Sequence, residues 1–337
     1  MFVIRPILLS DEQSLYELAE VSGYGFTSLP MDKKRLIKKI ERSVESFAKP
    51  LREPGSEFYL MVLEDTTTGQ VIGSTGIAAS VGLDEVFYHY RLTSESHHCR
   101  SLDIHNVVET LHLCNDYTCS AELCSLFLLE KFRGKKQGSL LSRSRFLFLA
   151  NTPERFGQKV IAEMRGECDE KGYSPFYAWL QELFLKIDFP QADYLCGIGD
   201  KSFIAELMPK HPIFKAMLSQ KAQDVIGRVH EKTKPALKML EQEGFTYQSY
   251  IDIFDGGPTI ECELSRIKSV KESQVLQVEI APEEGTQDLI LSNLKLAGFR
   301  AVMDKARIHR DKNTVYISEK IARHLDVVTG DKVRVVA

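Results

Sequence analysis

No apolar run in this 337-residue chain approaches the roughly 18 to 20 residues that a membrane-spanning helix requires. The richest stretch, residues 146–150, is short and follows Arg143 and Arg145, so a soluble protein without a membrane partner is expected. An excess of one charge is missing too. Lys and Arg number 43 against 47 Asp and Glu, a net charge of −4, which excludes the broad basic surface of a dedicated nucleic-acid binder. The opening Met1-Phe2-Val3-Ile4-Arg5-Pro6 lacks a basic segment followed by an apolar one, so export is not expected and a cytoplasmic location is. Paired cysteines are absent: the seven are odd in number and scattered, in a chain too large to depend on disulfides, and are expected to be reduced. Cys114, Cys119 and Cys124 recur near His105 and His112, but no second cysteine pair accompanies them, so packed thiols are expected and no metal site. Low-complexity linkers and fixed-period repeats are also missing.

Hydrophobic residues make up 43% and charged residues 27%, the proportions of a folded globular chain, and the length allows about two domains. Residues 2–9 have the pattern of a strand. Ser10-Asp11-Glu12-Gln13 then predicts a capping box opening a helix with Leu15, Leu18 and Ala19 inward and Gly23 as its stop. A second helix is expected from Asp32, with Leu36, Ile40, Val44 and Phe47 on its apolar face. Its Lys33, Lys34, Arg35, Lys38, Lys39 and Arg42 predict a solvated basic face. Alternation at Phe58, Leu60 and Val62, a turn at residues 65–69 and a β-like run over 71–81 predict a hairpin.

A further strand is expected around residues 86–92 and a stronger one over 122–129. The latter feeds a basic, glycine-bearing turn, residues 130–138, and a helix over 139–150. Strand, basic glycine turn and helix form a phosphate-binding arrangement, because the first N–H groups of a helix are unpaired and lie at the positive end of its dipole. Beyond it, the pattern predicts a strand over 160–164, a helix from Ser174-Pro175 to Phe189-Pro190, a strand over 225–230 and a helix with Pro235 in its first turn. That last helix should turn Leu237 and Leu240 inward and stop at Gly244. A hairpin over 247–253 and 259–264 follows, and from Ile267 onward short β-like runs predict a small separate β module. The expected division is therefore residues 1–266 and 267–337.

Taken in order, the Ile4-Arg5-Pro6 strand with its helix, the strand over 123–129 with its basic turn, and the late helix passing through Gly244-Phe245 into a strand resemble the GNAT acyltransferase superfamily. Its phosphate loop reads Gln/Arg-x-x-Gly-x-Gly/Ala; Arg133 and Gly138 match the first and last positions, with Lys136 at the middle glycine. The resemblance implies an α/β (α+β) GNAT-like fold, with an allowance for two GNAT-like halves. It also implies acyl-CoA contacts at Leu126, Arg133, Gly134 and Gly138.

Longer strings carry a narrower match: Gly25-Phe26-Thr27-Ser28-Leu29-Pro30, Ala162-Glu163-Met164-Arg165-Gly166, Gly172-Tyr173-Ser174-Pro175-Phe176, Leu207-Met208-Pro209-Lys210-His211-Pro212 and Tyr250-Ile251-Asp252-Ile253-Phe254-Asp255-Gly256-Gly257-Pro258. No periodicity or turn rule generates them, and they are similar to the arginine N-succinyltransferase family. That resemblance implies transfer of a succinyl group from succinyl-CoA to the α-amino group of L-arginine in arginine catabolism, with succinyl-CoA as co-substrate and no permanently bound cofactor. It further implies His230, in Gly227-Arg228-Val229-His230-Glu231, as proton donor, the Leu126 N–H meeting the thioester oxygen, and an oligomer, one form of which includes a paralogous subunit. His211 is the second choice for a site histidine. A guanidinium calls for a carboxylate, and Asp116, Glu122, Glu163 and Glu206 are unranked candidates. Ornithine or another basic amino acid as acceptor, a non-catalytic paralogous subunit and a CoA-binding module stay open.

Overall fold

The computed structural model describes residues 1–22, 28–51, 53–169, 172–189, 191–192, 195, 202–282 and 285–337. The expected helix stop at Gly23, residues Gly25 to Thr27 of one family-like string, Pro190 and Cys196 lie outside these.

β1 (Phe2–Pro6) leads through a 3-10 turn into α1 (Glu12–Ser22), and α2 (Lys33–Ala48) follows. The capping box expected at Ser10 does not form. Asp11 is the capping carboxylate: it accepts from the Leu8 N–H at 2.8 Å while holding Arg5 through two bonds of 2.7 and 3.0 Å. A bidentate ionised pair is the stronger bond, so it fixes this corner ahead of a serine hydroxyl. α2 starts where Asp32 accepts from the Arg35 N–H at 3.0 Å. Lys33, Lys34, Lys38 and Arg42 are exposed as expected, but Lys39 turns inward.

β2 (Phe58–Asp65), β3 (Gln70–Ala78), β4 (His89–Cys99), β5 (Ile104–Cys114) and β6 (Ala121–Leu128) come next, then α3 (Lys136–Asn151) and β7 (Lys159–Glu163). The strand expected near residues 86–92 is only the root of β4, which pairs with β5 from His89↔Cys114 to Cys99↔Ile104. Residues 94–99 are exposed on both faces, so no alternation marked this hairpin in the sequence.

The chain continues through α4 (Pro175–Leu180), α5 (Ser202–Leu207), β8 (Ile213–Phe214), α6 (Gln220–Val225), α7 (Lys234–Gln242), β9 (Thr246–Asp252) and β10 (Pro258–Glu263). Residues 225–230 do not form the expected strand. Val225 ends α6, Gly227 turns the chain at φ +71°, and Val229 makes a single bridge to Gly166. The left-handed glycine interrupts what the apolar residues alone would have extended. The C-terminal part is α8 (Lys268–Glu272), β11 (Gln274–Ile280), β12 (Gln287–Asn293), β13 (Ala301–His309), β14 (Thr314–Ile317), α9 (Glu319–Leu325) and β15 (Lys332–Val336).

These strands form one sheet in the order β12-β15-β11-β14-β13-β1-β2-β3-β6-β7-β10-β9-β4-β5-β8. β1 is the seam, pairing β2 on one side and β13 on the other through Val3↔Val302 and Ile4↔Ala301. The period-2 alternation of β2 separates two cores. Phe58, Leu60 and Val62 pack with α1 and α2; Tyr59, Met61 and Leu63 pack with α3. α3 is apolar on almost every side because β3, β6, β12, β13, α7 and α8 surround it. β1–β3, β6, β7, β9 and β10 pack with α1–α3 and α7 as one body. The allowance for a second half resolves into an inserted layer, in which β4, β5 and α4–α6 share a core around Tyr90, Leu111, Phe176 and Leu180.

Candidate active site

β6 and β7 run parallel for only two residue pairs, Ala121↔Val160 and Glu122↔Ile161, and then diverge. On its other edge β6 pairs with β3, but the register slips between Ser74↔Phe127 and Gly76↔Cys124. The extra residue is taken up at Ser125, which sits at φ +53°. Such a bulge re-aims the strand locally. Leu126, directly after it, is in register with neither neighbouring strand among the described residues and stands at the divergence. The Ser125 N–H is already committed, donating to Ser28 Oγ at 3.2 Å.

A cavity of about 910 Å³ fills the divergence, lined by Leu126 and Leu128 of β6, Ala162 and Glu163 of β7, and Leu141 and Arg145 of α3. Its basic end is the turn before α3. Arg133 donates from Nε to the Leu128 carbonyl at 2.9 Å, and Gly134 takes φ +76°, where a side chain would strain the backbone. α3 has no side-chain N-cap, so its first N–H groups stay available to an anion. A Cβ on Gly138 would meet nothing closer than 4.0 Å. Arg133, Gly134, Lys135 and Gly138 all line the cavity. Lys136 does not; its ammonium is 2.7 Å from Asp288 on β12.

The other end is acidic, where Glu122, Glu163, Asp252 and Asp255 reach the lining. Asp252 accepts the N–H groups of Phe254 and Asp255, and Asp255 those of Gly166 and Gly257, so these two hold the β9–β10 turn. Burial, with Asp252 beside it, pushes the Asp255 carboxyl well above the usual carboxylate range. Glu163 lies 3.0 Å from Nε2 of His89, a fully buried ring set between Phe87 and Tyr117. Among the sequence candidates for a guanidinium partner, Glu122 and Glu163 therefore reach the cavity. Asp116 does not; it accepts from the Tyr250 hydroxyl at 2.8 Å. Glu206 and His211 are exposed and lie outside the lining.

His230 begins the 3-10 turn before α7, held by its N–H to the Arg165 carbonyl at 2.9 Å. It is not in the lining, but its neighbours Arg165, Lys232 and Thr233 are. Nδ1 accepts the Lys232 N–H at 3.1 Å, which leaves the proton of the neutral ring on Nε2. Partial burial, with Arg165 and Lys232 nearby, lowers its pKa below the usual histidine value. Cys124 lines the cavity as an unreactive thiol, pushed by burial up to about 12. Among the described residues, no group of three or more His, Cys, Asp or Glu is placed to hold a metal.

Sequence reasoning missed Lys39, Arg145, Asp252 and His89. Lys39 was hidden in a run of solvated lysines; its ammonium reaches Ser125 Oγ at 3.2 Å and lies 4.4 Å from the centre of the Phe58 ring. Arg145 did leave a trace, a charge at the head of the apolar run over 146–150.

The family model described as arginine N-succinyltransferase beta subunit matches residues 2–269, and one described as the C-terminal domain of that subunit matches residues 271–337. The chain belongs to the arginine N-succinyltransferase family. Two Escherichia coli proteins named arginine N-succinyltransferase are 46% and 45% identical to it, over all of this chain and 97% of each of theirs. The solved structure of arginine/ornithine succinyltransferase subunit AI from Pseudomonas aeruginosa superposes with a TM-score of 0.91 at 37% identity, covering 100% of this chain and 98% of that one. Membership in the arginine N-succinyltransferase family makes the chain an acyltransferase.

Proposed function

We propose that this protein moves the succinyl group of succinyl-CoA to the α-amino group of L-arginine, as a cytoplasmic enzyme of arginine catabolism. One observation carries this: a single cavity is lined by the cationic loop at the start of α3, by Leu126 at the divergence, and by the carboxylates of Glu122 and Glu163. The CoA diphosphate is anionic and the arginine side chain cationic, so the two ends orient the substrates oppositely.

In the reaction the neutral amine attacks the thioester carbon. The C–N bond forms, the C–S bond breaks, the amine gives up one proton to solvent, and the departing thiolate takes one up from solvent to give free CoA. Leu126 N–H receives the developing oxyanion. His230, with Nε2–H available, serves the thiolate. Arg133, Gly134 and Gly138 take the diphosphate. Residues 267–337 act as a β unit attached to the acyltransferase body, 1–266. An oligomer, one form of which includes a paralogous subunit, accords with the Pseudomonas aeruginosa relative being a named subunit.

That relative is named an arginine/ornithine succinyltransferase subunit, which supports ornithine as a second acceptor differing only at the far end of the pocket. The test is succinyl-CoA turnover with arginine and ornithine in parallel, alongside Glu163→Gln and His230→Ala. Turnover with arginine, and a raised arginine KM in Glu163→Gln at unchanged CoA affinity, is the expected result. Tight CoA binding without turnover of either amine would overturn the enzyme in favour of a non-catalytic subunit.

A further inference from the structure

α3 presents Gly138, Leu141 and Arg145 to the cavity, three residues on one face at i, i+3 and i+7. Gly138 is at the diphosphate end, and Arg145 lies about 10 Å farther along the axis, in the direction a pantetheine arm must take to bring the thioester to Leu126. Arg145 is only 1% exposed. Among the described residues its hydrogen bonds are both to Ser142 of its own helix, from Nε to the carbonyl at 3.0 Å and from an Nη to the hydroxyl at 2.9 Å. No carboxylate among the described residues pairs with it. A guanidinium has five N–H donors, so three are left over.

Its neighbours are different. Arg143 pairs with Glu243 at 3.1 Å, and the equally buried Arg155 gives its donors to the Tyr59 hydroxyl and the carbonyls of Ser46, Lys49 and Leu51. These two are structural. A buried cation without a counter-charge weakens a fold, and burial has already lowered the Arg145 pKa to about 10. Such an arrangement is stable in a working protein when an anion arrives to complete it.

We propose that Arg145 receives the free carboxylate of a dicarboxylic acyl group carried by the thioester, making it the residue that selects succinyl over an uncharged acyl chain. The planar guanidinium can meet that carboxylate through two parallel N–H bonds. An acyl chain ending in a methyl group would leave the same donors buried and unpaired, which is the strongest form of discrimination a small pocket achieves. This selection rests on the acyl-CoA reading of the cavity. The other carboxylate that could enter is the α-carboxylate of the amino acid acceptor.

The experiment measures kcat/KM for succinyl-CoA and butyryl-CoA in the wild type, Arg145→Met and Arg145→Lys, with arginine and with argininamide as acceptors. The expected result is a loss of about 100-fold or more for succinyl-CoA in Arg145→Met, partial retention in Arg145→Lys, and butyryl-CoA activity unchanged or raised with either acceptor. Free CoA affinity should stay within about twofold, since the diphosphate contacts are elsewhere. Equal losses for both acyl donors would overturn the proposal, as would a loss confined to arginine and absent with argininamide, which would assign Arg145 to the acceptor. Should Arg145→Met not fold, the wild type still decides: succinyl-CoA must bind more tightly than butyryl-CoA, and equal affinities overturn the proposal. A wild type inactive with every acyl-CoA would instead overturn the proposed function.

Discussion

Replacing Leu126 by its α-hydroxy acid, so that an ester stands where the amide was, deletes one N–H and leaves the side chain in place. The structure makes the consequences separable. Leu129 donates to the Ile72 carbonyl at 3.0 Å, and antiparallel bonded pairs recur every second residue, so Phe127 opposite Ser74 is a bonded pair. Leu126 falls in the bulge, out of register with both neighbouring strands among the described residues. Its ester should therefore cost little stability, whereas the same change at Phe127 should cost about 1 kcal/mol. For catalysis the order reverses. The adjacent Ser125 N–H is held by Ser28, so Leu126 carries the oxyanion without a second donor from the bulge. Loss of one such donor costs about 10²–10³ in kcat, or roughly 2.7–4 kcal/mol of barrier. The assay is release of the CoA thiol, followed with a chromogenic thiol reagent under saturating substrates, beside thermal unfolding of both esters. A fall of less than about fivefold at Leu126, or equal falls at Leu126 and Phe127, would refute the assignment.

Three further outcomes follow from the same geometry. His230 is held neutral near pH 7, and protonating it would set a hydrogen on Nδ1 against the Lys232 N–H. Relative to His230→Ala, whose profile reports ionisation of the acceptor amine alone, wild-type kcat/KM should show an additional fall below the usual histidine range, and a wild-type advantage that grows toward acid pH would reject the neutral ring as the working form. Lys136→Ala should leave CoA affinity within about twofold because that ammonium is spent on Asp288, while Arg133→Ala should weaken it about tenfold by calorimetry. Equal losses would return Lys136 to the phosphate loop. Arg155→Met strands buried carbonyls at the end of α2, and denaturant titration should show about 3 kcal/mol of lost stability; under 1 kcal/mol would mean that water replaces the guanidinium.

What the sequence disclosed depended on whether a local rule governed the segment. The β2–β3 hairpin, α2, the strand–turn–helix from β6 to α3, and the late β9–β10 hairpin each follow from periodicity and turn chemistry, and all are present. β4–β5 did not show itself, because a hairpin whose outer half faces water on both sides has no apolar alternation. The turn at Gly227 and the seam between β1 and β13 depend on partners more than 25 residues away in sequence, Gly256 for the one and the C-terminal strands for the other. At the site, the phosphate turn was legible because its grammar is local. Glu163 could not be ranked above Asp116, since only the fold brings β7 beside the cavity and turns Asp116 toward Tyr250.

The near-zero net charge noted from composition conceals a polarised interior, and the polarity bears on the chemistry itself. Lys39 reaches Ser125 Oγ, next to Leu126, and Arg145 enters the same cavity from α3. The Lys39 ammonium beside the bulge would favour an oxyanion developing there and disfavour a second ammonium, which helps to keep the attacking amine neutral. Burial lowers the pKa of both groups. Glu122 and Glu163 balance them at a distance, where a side-chain cation can be held without re-protonating the reacting amine. The demand on His230 is correspondingly small. A thiol with a reference pKa of about 8.5 leaves readily once the oxyanion collapses, so a neutral imidazole donating a hydrogen bond suffices where a stronger acid would be needed for an alkoxide.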